Sequence, residues 1–191
     1  MGKRFVDFVN DPRAKDLGKL QPAHVLALRV YTTAAYRSLN NPLRSTDEDR
    51  PPHPFPVTVN YIKEGISQLR AVDASSSRAQ GEMDLWRGLK NLRAQDDFLK
   101  AGGTELAPMS TTADLKVALS YSMSPCSLLF KVHTKSFLQR GADLTFLSAF
   151  PAEAEILFPP LTFLRPTGKT LTVEFPGAGI KFTVVEVEPI Q

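Results

Sequence analysis

Two glutamates, Glu153 and Glu155, are the side chains of this sequence best placed to do chemistry together. They precede the apolar segment ILFPP and are separated by one alanine. Because side chains two residues apart in a strand point to the same face, about 7 Å apart, the segment predicts a carboxylate face opposite an apolar face of Ile156 and Phe158. A carboxylate pair turned into a core is very costly. We therefore expect the pair to face solvent or a cleft, where it could stabilise a cation or move protons.

An arginine lies inside a second apolar run, DLWRGL at residues 84–89. The neighbours of Arg87 favour burial, and a buried guanidinium needs an anionic partner. Arginine is suited to holding a carboxylate or a phosphate through two hydrogen bonds. The next residue, Gly88, allows a ligand or another backbone to come close. The run therefore predicts either a structural ion pair or a site for an anionic ligand.

Three small hydroxyl side chains stand together in the segment GGTELAPMSTTAD. Ser110, Thr111 and Thr112 lie at the start of an amphipathic pattern that predicts a helix over 111–122. One of the threonines could cap this helix, with Asp114 in its first turn. Alternatively, Ser110 could face a cleft and orient a second polar side chain. The residues themselves leave both interpretations open.

The elements that must position these residues fall into two parts, of which the first is helical. Apolar residues at helical spacing predict one helix from Pro22 that Asn40, Asn41 and Pro42 end, and a second helix over 57–72. Charged and proline-rich residues predict a surface loop over 45–56, and small polar residues predict another over 73–81. Residues 1–21 are polar and mixed, and they predict a tail or a short helix.

The second part of the chain is rich in strands. Its β-branched and aromatic runs are separated by Gly, Pro or polar residues, as strands require. We predict strands over 84–89, 127–133, 143–150, 153–164, 170–175 and 180–189. In the last of these, the apolar residues change face between Val184 and Val185, which predicts a bulge or a change of burial. Helices followed by strands indicate an α+β fold with a largely non-parallel sheet, in a single domain over 1–191.

Composition narrows the classes of function. Hydrophobic residues make up 42% and charged residues 23% of the 191 residues, which is ordinary for a globular protein. The net charge of +3 is spread along the chain without a Lys/Arg block, so nucleic acid is not expected as a partner. His24, His53 and His133 lack ligand spacing, so no metal site is expected, and the single Cys126 cannot form an internal disulfide. Without an apolar run of membrane length or a signal peptide, we expect no membrane span and a cytoplasmic protein.

Four segments of the sequence, taken in order, resemble one enzyme family. They are the helix YTTAAYRSLNNPLR, the run LWRGL, the segment GGTELAPMSTTADLKVALSYS and the segment RGADLTFLSAFPAEAEILFPP. Their order of Arg, Ser-Thr-Thr and Glu-x-Glu is similar to that of the mono-ADP-ribosyltransferases of the R-S-E class, above all the arginine-specific ones. The resemblance extends over roughly residues 25–165. In the first helix it rests on Tyr31, Thr32, Tyr36, Asn40, Leu43 and Arg44.

The resemblance implies a donor substrate and a fold. NAD would be the co-substrate, with NADP left open, and a split mixed sheet would surround an NAD cleft behind a helical amino-terminal part. By the same resemblance, Arg87 would hold the NAD diphosphate, and the backbone of Gly88 would meet the nicotinamide amide. Ser110 would position Glu155, and Thr111 would lie beside it in the NAD site.

The two glutamates take separate roles from the resemblance. Glu155 matches the family's catalytic glutamate, which would steady the ribose as it gains oxocarbenium character. Glu153 matches the first glutamate of E-x-E, which in this family accompanies arginine as the acceptor, and Phe150 falls in the turn that recognises the acceptor. The implied function is transfer of ADP-ribose from NAD to arginine side chains of an unidentified acceptor protein.

Two other functions stay open at this point. A protein of the same fold could hydrolyse NAD, releasing ADP-ribose and nicotinamide. The chain could also be a non-catalytic NAD-binding or interaction module, although the presence of Arg87, Ser110 and Glu155 favours an enzyme.

Overall fold

A layer of helices forms the amino-terminal part of the structure, a computed structural model that describes residues 2–73, 81–175 and 180–191. The layer contains α1 (Phe5–Val9), a π-helical turn (Arg13–Leu17), α2 (Pro22–Tyr31), α3 (Tyr36–Arg44) and α4 (Pro56–Asp73). The predicted loop 73–81 lies almost wholly outside the described residues. None of the helices in the described ranges has both the length and the apolarity that a bilayer crossing requires.

A pair of threonines divides the helix that the sequence predicted from Pro22, and its predicted end at Asn40, Asn41 and Pro42 was also wrong, because α3 continues through Pro42 to Arg44. Helices α2 and α3 are separate, so the prediction of one continuous helix was wrong. The hydroxyl of Thr32 donates to the carbonyl of Arg29 at 2.8 Å, and the hydroxyl of Thr33 donates to the carbonyl of Val30 at 2.7 Å. These local bonds offer the backbone an alternative to the helical ladder, which explains the turn between α2 and α3.

Helices α2 and α4 bury the apolar faces that their spacing predicted. The buried positions are Val25 and Leu28 in α2 and Ile62, Ile66 and Leu69 in α4, each exposed by 3% or less. Burying an aliphatic side chain of this size contributes about 1.5–3 kcal/mol. Side chains from the segment 142–157 join the same apolar cluster. The helical layer therefore has its own apolar core, and one edge of the sheet packs against it.

A single mixed sheet follows the helices. Its strands are β1 (Met83–Lys90), β2 (Gly103–Glu105), β3 (Met109–Thr112), β4 (Cys126–Thr134), β5 (Ala142–Asp143), β6 (Glu155–Phe158), β7 (Thr162–Phe175) and β8 (Ile180–Ile190), with α5 (Asp96–Ala101) and α6 (Leu115–Ser122) between them. Among the described residues the strand order is β2-β7-β8-β4-β1-β3-β6-β5. Within that sheet β4 and β8 are parallel and the other neighbours are antiparallel. The predicted α+β class, with a helical amino-terminal part and a mostly antiparallel mixed sheet, is confirmed.

The sheet opens between β1 and β3. Strand β1 pairs with β4 along its whole length, but in the described residues its pairing with β3 consists of Trp86 opposite Thr112 alone. Continuing that register would set Gly88 opposite Ser110, and these two residues are not paired. The two strands therefore splay apart and leave a notch, which is the split in the sheet that the resemblance implied.

Two of the predicted strands are interrupted. The run 143–150 contributes only to the two-residue strand β5, and Leu144 and Leu147 are buried against the helical core from a turn. The run 153–164 is divided into a 3-10 turn, β6 and the start of β7. A short apolar run indicates burial, but it does not distinguish a strand from another buried conformation.

Helix α6 begins later than predicted, because residues 109–112 form strand β3. Its cap is Asp114, whose carboxylate accepts a hydrogen bond from the amide of Lys116 at 2.8 Å, so the prediction of a threonine cap was wrong. Strand β2 and helix α5 were not predicted, since both are very short.

The change of face predicted in the last strand has a counterpart in the strand beside it. The pairing of β7 with β8 shifts register between Pro166 and Thr170. These two residues lie opposite Val187 and Val185 respectively, so the bulge lies in β7 and not in the last strand. In β8 itself the burial changes, because residues 180–184 are exposed or half-buried and residues 185–189 are buried, which confirms the predicted change of burial.

Gly88 lies where α6 packs on β1. A Cβ atom there would lie 2.0 Å from the carbonyl oxygen of Ala118 and 2.9 Å from the amide nitrogen of Ser122. We expect Gly88→Ala to displace α6 and to lower the free energy of unfolding by about 3 kcal/mol, the upper end for an overpacked site. Urea denaturation measures the loss. Gly2→Ala is the matched control, since a Cβ there meets nothing within 4 Å, and equal stability of the two variants would contradict the tight contact.

Candidate active site

A buried carboxylate and a hydroxyl meet where β3 pairs with β6. The antiparallel register sets Thr112 opposite Glu155 and Ser110 opposite Leu157, so Ser110 and Glu155 are diagonal neighbours. The Ser110 hydroxyl donates to Oε1 of Glu155 at 2.6 Å, and Glu155 is only 9% exposed. Burial raises the pKa of Glu155, and the hydrogen bond from Ser110 acts in the opposite direction. The carboxylate is thus held largely out of water with one oxygen fixed.

The guanidinium of Arg87 reaches the same serine from β1. Its Nη1 donates to the carbonyl oxygen of Ser110 at 3.1 Å, and its side chain is 14% exposed. Burial lowers the pKa of Arg87 from its usual value. Arg87 contacts the backbone of Ser110, and Glu155 contacts the hydroxyl of the same serine. These three residues, which are far apart in the sequence, therefore meet beside the notch.

A second carboxylate, Glu105 at the end of β2, links Arg87 to the helical layer. Its two oxygens accept hydrogen bonds from Arg44 of α3, from Nε at 2.8 Å and from Nη2 at 3.0 Å. Oε2 of Glu105 also lies 3.5 Å from Nη2 of Arg87, and Oε1 accepts from the amide of Ala107 at 3.0 Å. The ion pair expected as one interpretation of Arg87 is therefore present, and it gathers two guanidinium groups around one carboxylate.

Two side chains of the helical layer fix the segment that leads into β3. The hydroxyl of Tyr31 donates to the carbonyl oxygen of Pro108 at 2.8 Å. The amide of Asn40 donates to the same carbonyl at 3.3 Å and to the Tyr31 oxygen at 3.1 Å. Burial raises the pKa of Tyr31, so its hydroxyl stays a donor. Since Pro108 stands two residues before Ser110, these bonds help to place the serine.

Glu153 does not share a strand with Glu155, so the predicted carboxylate face is wrong. Glu153 ends a 3-10 turn (Pro151–Glu153), and Ala154 adopts the left-handed conformation at φ 46° and ψ 51°. Strand β6 begins only at Glu155. A left-handed alanine costs about 1–2 kcal/mol, so the surrounding structure must hold it. The irregular backbone places the two carboxylates in different environments.

The side chain of Glu153 meets α6. The hydroxyl of Tyr121 donates to Oε1 of Glu153 at 2.7 Å, and the hydroxyl of Thr112 donates to the carbonyl oxygen of Glu153 at 2.7 Å. Burial and the neighbouring Glu153 raise the pKa of Tyr121 to about 12. Tyr121 was not predicted as a site residue, because a tyrosine at the end of an amphipathic helix carries no local signal of chemistry.

The remaining predicted residues lie around this centre. Phe150 begins the turn before Glu153 and is 55% exposed. Thr111 is buried and donates to the carbonyl of Ile156 at 2.8 Å, so its hydroxyl is engaged within the sheet. Gly88 lies on β1 beside the notch. The roles of Phe150, Thr111 and Gly88 toward NAD or an acceptor stay predictions.

The arrangement suits a reaction in which positive charge develops near a bound anion. Arg87 can take an anionic group such as a diphosphate through its guanidinium fork, while Arg44 holds Glu105. The carboxylate of Glu155, fixed and largely removed from water, can stabilise a nearby cation more strongly than an exposed acid could.

The fold is similar to that of several solved ADP-ribosyltransferases. It is similar to the ADP-ribosyltransferase HopU1 of Pseudomonas syringae pv. tomato, with a TM-score of 0.65 and 18% identity over 98% of this chain and 88% of that one. It is also similar to the eukaryotic mono-ADP-ribosyltransferase ART2.2, with a TM-score of 0.62 and 17% identity over 90% of this chain and 67% of that one. A third similar structure is exoenzyme S of Pseudomonas aeruginosa bound to carba-NAD, with a TM-score of 0.56 and 21% identity over 95% of this chain and 86% of that one.

The sequence identifies the family within this class. The profile of the NAD:arginine ADP-ribosyltransferases matches residues 14–173. The chain therefore belongs to the NAD:arginine ADP-ribosyltransferase family, and NAD is its co-substrate. Comparison with curated protein sequences gave no match. The predicted family and the predicted co-substrate are confirmed.

Ionised Glu155 makes folding less favourable. Its pKa is higher in the folded chain than in the unfolded chain, so the folded state loses stability as pH rises between these two values. We expect Glu155→Gln to raise the free energy of unfolding at pH 7. The gain should vanish at about pH 3.5, below the usual glutamate pKa of about 4.3, because the wild-type carboxyl is then protonated in both states.

Urea denaturation of wild type and variant at the two pH values measures this difference. Glu48→Gln, which removes one charge from an exposed loop, is the matched control and should change stability little at either pH. A Glu155→Gln protein that is less stable than wild type at pH 7 would contradict the unfavourable burial of the charge.

Proposed function

We propose that this protein transfers ADP-ribose from NAD to the guanidinium of arginine side chains in acceptor proteins, with release of nicotinamide. The observation that carries the proposal is the meeting of Arg87 and Glu155 at Ser110, with a second acid, Glu153, at the adjoining turn. One acid would serve the donor sugar and the other would serve the acceptor. The acceptor named in the description of the family supports arginine.

Arg87 would bind the diphosphate of NAD. Its Nη2 lies 3.5 Å from Glu105, whereas Arg44 holds the same carboxylate at 2.8 Å and 3.0 Å. Arg87 could therefore turn to a diphosphate, which offers more charge and more acceptor oxygens, while Arg44 retains Glu105. Gly88 would offer its backbone to the nicotinamide amide at the notch, beyond the last residue that pairs with β3.

Glu155 would stabilise the transition state for the loss of nicotinamide. The bond between ribose C1′ and the nicotinamide nitrogen breaks, the nitrogen keeps the electron pair, and nicotinamide leaves uncharged. The ribose gains oxocarbenium character, as it does in glycoside hydrolysis. Because nicotinamide is already cationic in NAD, the leaving group needs no general acid. Ser110 would keep the carboxylate directed at the ribose, where it could also accept a hydrogen bond from the 2′-hydroxyl.

Glu153 would receive the acceptor. A guanidinium stays protonated in proteins because its pKa exceeds about 12, so it must lose a proton as one nitrogen bonds to C1′. Glu153 is more exposed than Glu155, and Phe150 beside it is 55% exposed, so both are open to an incoming side chain. Glu153 would hold the guanidinium, take that proton and pass it to water.

Incubation with labelled NAD and agmatine, a small guanidine, tests the proposal. We expect an ADP-ribosyl–agmatine adduct, formed in step with nicotinamide release. Release of free ADP-ribose and nicotinamide without adduct would reject arginine as the acceptor and identify an NAD hydrolase of the same fold. Binding of NAD without any turnover would identify a non-catalytic module instead.

Removing the buried acid should abolish both reactions. We expect Glu155→Ala to lower the rates of transfer to agmatine and of NAD hydrolysis by about 10²–10³, because the developing cation loses its preorganised counter-charge. Calorimetry should show that NAD still binds. Glu48→Ala is the control for loss of an acid elsewhere, and turnover by Glu155→Ala at the wild-type rate would remove Glu155 from the mechanism.

Neutralising the more exposed acid should separate the two reactions. We expect Glu153→Gln to lose transfer to agmatine and to retain NAD hydrolysis, because the amide cannot accept the proton of the guanidinium while water still reaches C1′. Adduct and free ADP-ribose are measured in the same reaction. If both products fall together to background, the division of roles between Glu153 and Glu155 is wrong.

A further inference from the structure

The phenol of Tyr121 is in direct contact with the more exposed acid of the site. Tyr121 lies in the last turn of α6, is 49% exposed and donates to Oε1 of Glu153 at 2.7 Å. The other carboxylate oxygen, Oε2, has no hydrogen bond or ion pair among the described residues. One oxygen of Glu153 is therefore occupied and the other is available.

Glu153 is also held through its backbone. The Thr112 hydroxyl donates to its carbonyl oxygen at 2.7 Å, so side chains from both ends of the β3–α6 segment fix the same glutamate. The segment is itself well placed, because Asp114 caps α6 and Ala118 packs against Gly88. Tyr121 thus projects from a fixed helix toward a turn that has no regular ladder of its own.

We propose that Tyr121 is a positioning residue for transfer to arginine: its hydroxyl holds Oε1 of Glu153, so that Oε2 is directed at the acceptor guanidinium. The inference rests on the proposed function, in which Glu153 receives the acceptor. A planar guanidinium must meet the carboxylate in one orientation to bring its nitrogen to C1′, and an untethered glutamate in an exposed turn would sample many rotamers. Water is small and has no planar cation to orient, so its attack on C1′ does not need this restraint.

The phenol is suited to the task over the whole physiological pH range. Burial and the charge of Glu153 raise the pKa of Tyr121 to about 12, so the hydroxyl keeps its proton and remains a donor. A protonated phenol stabilises the ionised carboxylate without a formal positive charge. A lysine or arginine in its place would form an ion pair with Glu153 and would repel the cationic acceptor.

Tyr121→Phe tests the inference because it removes the hydroxyl and keeps the ring. We expect kcat/KM for agmatine to fall about 10-fold, the usual effect of losing one hydrogen bond to a charged group. The rate of NAD hydrolysis and the KM for NAD should not change. Ser120→Ala is the matched control, since among the described residues the hydroxyl that it removes bonds only the Val117 carbonyl of its own helix, at 2.7 Å. Its transfer and hydrolysis rates should equal those of wild type.

A double-mutant cycle separates positioning from a general effect on the fold. In the Glu153→Gln background, where the residual transfer is measured with labelled NAD and excess enzyme, Tyr121→Phe should cause no further loss, because the group that it positions has already been neutralised. An equal fall in transfer and hydrolysis, an unchanged kcat/KM for agmatine, or additive losses in the cycle would each overturn the inference.

The failures of the two proposals are distinguishable. A wild-type protein that makes no agmatine adduct rejects arginine transfer and the role of Tyr121 with it. A wild-type protein that makes the adduct, together with a Tyr121→Phe variant that makes it equally fast, rejects the role of Tyr121 alone. If Tyr121→Phe unfolds at a lower temperature than wild type, both proteins are compared at a temperature at which both are folded, and the ratio of transfer to hydrolysis should still be lower in the variant. An unchanged ratio there would count against the inference.

Discussion

A carboxylate held largely out of water at Glu155 is the constraint on which the rest of the site depends. Burying such a group is unfavourable, and its raised pKa expresses that cost. The fold tolerates it with a fixed donor, the hydroxyl of Ser110. Three interactions place Ser110 and so support the acid. They are the pairing of β3 with β6, the hydrogen bond from the Arg87 guanidinium to the Ser110 carbonyl, and the hydrogen bonds to the carbonyl of Pro108. The raised pKa implies that the charge of Glu155 lowers the stability of the fold, a cost that is common where a protein keeps a group for its chemistry.

The helical layer takes part in this arrangement because α2 and α3 are separate helices. Tyr31 and Asn40 both reach the carbonyl of Pro108, and the Asn40 amide lies 3.1 Å from the Tyr31 hydroxyl although the two residues are nine positions apart. In one continuous helix, nine residues span about 13 Å along the axis, too far for both to reach one atom. The turn that Thr32 and Thr33 stabilise therefore brings two polar residues together at the approach to β3.

The sequence predicted those parts of the site that carry unusual residues in unusual surroundings. An arginine in an apolar run and a cluster of hydroxyls were visible without a structure, and so were the buried faces of α2 and α4. The left-handed conformation of Ala154 was not visible in the sequence, because nothing about an alanine signals it. Both glutamates were therefore predicted to lie on the same face of one strand. Glu105 and Tyr121 were missed because their partners lie 61 and 32 residues away, with nothing local to single them out.

The left-handed alanine has a chemical result that a regular strand could not give. It separates two identical acids, so that Glu155 lies buried beside Ser110 while Glu153 lies nearer to solvent beside Tyr121. Had both followed strand parity, they would lie on one face about 7 Å apart, in the same surroundings. In the structure the charge of Glu153 still helps to raise the pKa of Glu155, but burial is the larger cause and acts on Glu155. The proposed reaction needs one carboxylate beside a sugar that turns cationic and another that accepts a proton from a cationic nucleophile. Different environments for similar groups are the way in which proteins divide such tasks, and here one strained residue provides them.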